Sequence, residues 1–110
     1  MPIMFNSLFK KSYEDLNGTT FKQTFESTPG AVLLDVRTPM EYNSGNIPQA
    51  INIDIMGYDF QDEVAKLDKS KTYFIYCRSG NRSGQACAIM SEMGFTTYNL
   101  SGGIGAWPFN

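Results

Sequence analysis

The chain has 110 residues, nine Lys and Arg against eleven Asp and Glu, a net charge of −2 and a pI of about 4.9, so no basic excess draws it to nucleic acid. Its 42% apolar content suits one core and a single domain over residues 1–110, and its apolar runs are too short to cross a membrane. It contains no histidine, which excludes Ser-His-Asp and Cys-His catalysis, imidazole bases and His-ligated zinc within the chain.

In chain order, the stretch over residues 1–12 places a few apolar residues before two lysines, the reverse of a secretory signal, and none is expected. Thr20-Phe-Lys-Gln23 has the form of a capping box, opening a short helix with Phe21 and Phe25 on one face and ending at Thr28-Pro-Gly30. Ala31-Val-Leu-Leu-Asp-Val36 is a continuous run of strand length, the pattern of a strand buried on both faces. Pro39 suits the first turn of a short helix after Arg37. Gly45-Asn-Ile-Pro48 reads as a turn and Ala50-Ile-Asn-Ile53 as a short strand. Phe60, Val64 and Leu67 recur at helical spacing, predicting an amphipathic helix over 59–68. Residues 71–76 form a second buried strand. Ala86, Ile89, Met90 and Met93 make a helix stripe closed by Gly94, and Thr96 to Leu100 is the last strand. Strands alternating with helices predict an α/β fold, a mainly parallel sheet with helices on both faces. Ligands bind such sheets at the carboxyl ends of the strands, where Asp35-Val-Arg37 and the loop from Cys77 to Arg82 are expected to share an edge.

That loop, Cys77-Arg78-Ser79-Gly80-Asn81-Arg82-Ser83, carries the chemistry. Gly80 and Asn81 are the residue types that most easily take positive φ. A loop curled before a helix points successive N–H groups inward, and the helix N-terminus adds its positive dipole. Arg78 and Arg82 add two charges, with no acid nearby in sequence. A cysteine at the mouth of this nest is expected to be a thiolate and nucleophile. Cys87 lacks basic company and reads as a core residue. A helix between the two thiols separates them beyond the ~7 Å reach of a disulfide. Free thiols without an export signal suggest a reducing, cytoplasmic setting.

Four ordered segments then carry a resemblance: Leu34 to Tyr42, Gly45 to Ile53, Tyr76 to Ser83, and Leu100 to Trp107. The chain resembles the rhodanese-like (sulfurtransferase) family. The resemblance implies a central five-stranded, mostly parallel sheet with helices on both faces. It implies that Cys77 takes a sulfane sulfur from a small donor such as thiosulfate or a persulfide, holds it as a persulfide and passes it to a thiol or protein acceptor. Arg78 and Arg82 would orient the donor, with Ser79, Gly80, Asn81 and Ser83 forming the cradle. Asp35 and Arg37 look like the family's D-x-R pair, a supporting brace. Neither metal nor cofactor is expected, nor nucleic-acid or membrane partners. The family usually has histidine at Asn46 and glycine at Gln49, so local packing there is in question. The chain stops three residues after Trp107, where many relatives continue, which would leave the C-terminal cover thin. The glycines before Trp107 are expected to pack rather than react. The alternatives are a non-catalytic rhodanese-type protein-binding module, and a Cys-based phosphatase or arsenate reductase. Phosphatase loops place five residues between Cys and Arg, and this loop has four.

Overall fold

The computed structural model describes residues 11–109. The N-terminal stretch read above for a signal lies outside them up to residue 10. Ten elements follow one another: β1 (Glu14–Leu16), α1 (Gly18–Ser27), β2 (Ala31–Asp35), α2 (Pro39–Asn43), β3 (Ile51–Asn52), α3 (Phe60–Ala65), β4 (Thr72–Tyr76), α4 (Asn81–Glu92), β5 (Thr96–Leu100) and a 3-10 turn (Ile104–Ala106). The five strands form one sheet in the order β1-β5-β4-β2-β3, and every neighbouring pair is parallel. Leu34 is in register with Ile75 and Asp35 with Tyr76, so β2 and β4 end level at the carboxyl edge.

The alternation of side chains along a strand divides the core in two. On one face Leu34, Val36, Ile75 and Cys77 pack with Phe60 and Val64 of α3 and Ala86, Cys87 and Met90 of α4. On the other, Leu33, Phe74, Tyr76 and Leu100 pack with Phe21 of α1 and with Ile47 and Ala50. Phe74 lies edge-on to Phe21 and to Phe25, each at 5.5 Å between ring centroids. Trp107 meets Phe21 at 6.1 Å, so it belongs to the core as expected.

Three local expectations change. First, α1 opens at Gly18 rather than at Thr20. Asn17 is its cap, accepting the Thr20 N–H at 2.9 Å, and its short amide meets that need directly. Gly18 is forced by packing, since a Cβ there would sit 1.7 Å from the Ala106 carbonyl oxygen. Second, α3 stops at Ala65, with Lys66 closing it, shorter than the 59–68 span. Third, β1 is an added edge strand that three residues of mixed polarity did not announce.

Candidate active site

Strand β4 delivers Cys77 to the centre of the carboxyl edge, and the loop after it turns over the sulfur before α4 begins. Cys77 is fully buried. It lies on the floor of the loop, not at its mouth as the sequence suggested, beneath exposed Arg78 and Ser79. Gly80 takes the left-handed turn at φ +105°, while Asn81 is already the first residue of α4. Of the two residues expected to allow positive φ, the loop uses the glycine.

Two donors point at the sulfur. The Gly80 N–H approaches Sγ at 3.1 Å and the Ser83 hydroxyl at 3.2 Å. Burial alone would raise the Cys77 pKa. The Ser83 hydroxyl and the amides of Ser83, Gly80 and Ser79 outweigh it and hold the thiol below its ordinary value. Hydrogen-bond donors on the loop therefore stabilise the anion, and the two arginines are not its main support. Cys87 shows the contrast. It is buried in the core, where burial far outweighs the one hydroxyl of Thr97 that favours the anion, and its thiol is pushed up to about 12.

Arg82 is not the free cation expected. Its guanidinium grips Glu41 of α2 with both arms, Nη1 to Oε1 at 2.8 Å and Nη2 to Oε2 at 3.0 Å. Glu41 is far upstream in sequence but faces the loop. It is fixed by a capping box, accepting the Thr38 N–H at 3.0 Å while its own N–H donates to Thr38 Oγ1 at 3.2 Å. Arg82 first, and the Thr38 amide second, lower the Glu41 carboxyl to about 2. Among the described residues, Arg78 forms no ion pair.

Asp35 and Arg37 sit beside the loop as an internal brace. Arg37 Nη2 donates to Asp35 Oδ2 and to the Gly45 carbonyl, both at 2.7 Å. Asn52 ties the Asp35 and Arg37 carbonyls at 3.0 and 2.9 Å, and Arg37 stacks on the Tyr76 ring at 5.6 Å. Both side chains are buried, which suits positioning rather than donor contact.

The back of the loop is closed by residues that sequence reasoning underrated. Ile104 N–H donates to the Cys77 carbonyl at 2.9 Å. A Cβ on Gly103 would fall 2.0 Å from the Arg78 carbonyl oxygen and 2.6 Å from Ser79 N. Asn99 Nδ2 donates to the Gly80 carbonyl at 3.2 Å and to Asp15 Oδ1 at 2.8 Å, leaving its own buried Oδ1 unpartnered. The Gly102-Gly103 pair was the available signal. Asn99 gave none, since its partners lie on another strand and in the loop before α4.

The model of the rhodanese-like domain matches residues 19–108. The chain belongs to the rhodanese-like domain family. A putative sulfurtransferase YtwF of Bacillus subtilis is 39% identical over 94 residues, covering 86% of this chain and 89% of that protein. Thiosulfate sulfurtransferase PspE of Escherichia coli is 39% identical over 71 residues, covering 64% of this chain and 68% of its own. A crystal structure of a rhodanese-like domain protein from Staphylococcus aureus superposes with a TM-score of 0.75 at 26% identity, covering 86% of this chain and 91% of that one. The rhodanese-like fold expected from the sequence is the fold observed, with all its strand pairs parallel. No helix among the described residues is long and apolar enough to cross a membrane.

Proposed function

We propose that the protein is a sulfurtransferase that moves a sulfane sulfur from thiosulfate or a persulfide donor to a thiol or protein acceptor through a Cys77 persulfide. The observation that carries this reading is the Cys77 sulfur at the end of the central strand, with the Gly80 amide and the Ser83 hydroxyl directed at it. Family membership and relatives named sulfurtransferases support it. In the first half-reaction the thiolate attacks the outer sulfur of thiosulfate. An S–S bond forms at Cys77, the donor S–S bond breaks, and sulfite leaves with the bonding pair. In the second, an acceptor thiolate attacks the outer sulfur of the persulfide and Cys77 departs as thiolate. With a thiosulfate dianion as donor and an acceptor thiolate, no proton moves in either step, so the chain's lack of histidine costs it nothing. The donors that stabilise the thiolate also make Cys77 a good leaving group.

Arg78 and the amides of Ser79, Gly80 and Asn81 would meet the donor at the rim, and Asp35 with Arg37 would hold the edge rigid. Both cysteines are free, which fits a reducing, cytoplasmic setting. The test is thiosulfate-to-cyanide transfer measured beside hydrolysis of a phosphate monoester. Transfer without hydrolysis is expected, abolished by Cys77→Ser and largely kept by Cys87→Ser. Turnover of thiosulfate by folded Cys77→Ser would refute the assignment.

A further inference from the structure

The loop offers two arginines to an incoming anion, but the fold gives one of them away. Arg82 spends its planar fork on both oxygens of Glu41 at 2.8 and 3.0 Å, the geometry in which an Arg–carboxylate pair is strongest. Both partners are partly buried, with side-chain exposures of 24% and 27%, and the α2 capping box holds the carboxylate in place. Asp54, on the segment after β3, adds a further negative field at Arg82. The entrance therefore presents a neutralised pair and the single charge of Arg78. A doubly charged donor approaching the thiolate gathers three negative charges, while a singly charged donor gathers two.

We infer that Glu41 is a specificity-determining residue of the sulfur-transfer site, neutralising Arg82 in a bidentate pair so that the site favours singly charged donors over doubly charged ones. The inference deepens the sulfurtransferase reading and rests on it for its site. Glu41 acts through Arg82 and is a positioning residue. Removing its charge releases the field of Arg82, and a dianion gains from that field twice what a monoanion gains.

Glu41→Gln isolates the charge, because glutamine also completes a capping box and leaves Arg82 an oxygen to bind. Binding is read as protection of Cys77 from iodoacetamide by sulfate, a dianion, and by methanesulfonate, a monoanion of similar shape. Glu41→Gln should tighten sulfate relative to methanesulfonate on the order of fivefold, the effect of one charge at about 4 Å screened by a water-like dielectric at this open entrance. Glu41→Asp, which keeps the charge, should hold the wild-type ratio to within about twofold. In turnover, Glu41→Gln should improve thiosulfate relative to benzenethiosulfonate through KM rather than kcat. An unmoved protection ratio in folded Glu41→Gln, or an equal shift in Glu41→Asp, overturns the inference. If the wild type turns over neither donor, the sulfurtransferase reading fails while the protection ratio still decides the role of Glu41.

Discussion

At Cys77 two effects of opposite sign meet. Burial disfavours the thiolate, and the Ser83 hydroxyl with the loop amides favours it and prevails. The reactive form is the anion, so activity should rise with pH through the Cys77 pKa, with a midpoint below the ordinary thiol value. Ser83→Ala removes one hydrogen bond to a charged group, about 1.5–3 kcal/mol, which raises that pKa by roughly one to two units. The midpoint of iodoacetamide alkylation against pH should move up accordingly. An unmoved midpoint would mean that Ser83 does not stabilise the anion. The place of Cys77 and its loop between β4 and α4 was legible in the sequence because a strand, a small-residue loop and a helix stripe follow one another directly. The partner of Arg82 was not, since Glu41 lies 41 residues away and only the fold brings α2 to α4. The charges that seemed free in sequence were therefore over-counted.

Among the elements, the unit from β4 through the loop to α4 owes its shape to the segment packed behind it. Gly103, at φ +75°, touches the Arg78 backbone where no side chain fits. Gly103→Ala should cost about 1–3 kcal/mol through overpacking and a further 1–2 kcal/mol through the left-handed backbone. Sulfur transfer should fall more steeply than a merely destabilised fold requires, read by comparing activity and melting temperature below the transition. Gln49 gives the opposite case. Among the described residues it is the non-glycine with positive φ, at +78°, a conformation that favours glycine. Gln49→Gly relieves roughly 1–2 kcal/mol of backbone strain, partly offset by glycine's entropy of about 0.5–1 kcal/mol. The melting temperature should hold or rise by up to a few degrees, and a lower one would show that the turn is not strained. The longer helices were readable from apolar spacing and the buried strands from continuous apolar runs. β1 was not, because Glu14–Leu16 is too short to carry a period, and its place is fixed by Asp15 meeting Asn99.

For the whole molecule, the strand order explains why the chemistry sits where it does. From β2 the chain moves outward to β3, and from β4 it moves the other way to β5. The connections leaving these two neighbouring strands thus diverge at the carboxyl edge, the crevice where open α/β sheets bind ligands. β4 brings Cys77 to that point, β2 brings the Asp35–Arg37 brace, and the Glu41–Arg82 bridge spans it from helix to helix. The alternation of strands and helices made this layout readable as a class, while the order of strands came from the fold itself. The central claim is that Cys77 at this crevice carries sulfur. Its most direct measurement is mass spectrometry of the intact protein and its peptides after treatment with thiosulfate. The expected result is a gain of one sulfur atom, confined to the Cys77 peptide, removed by cyanide and absent from Cys77→Ser. A protein that gains no sulfur, or gains it at Cys87, would contradict it.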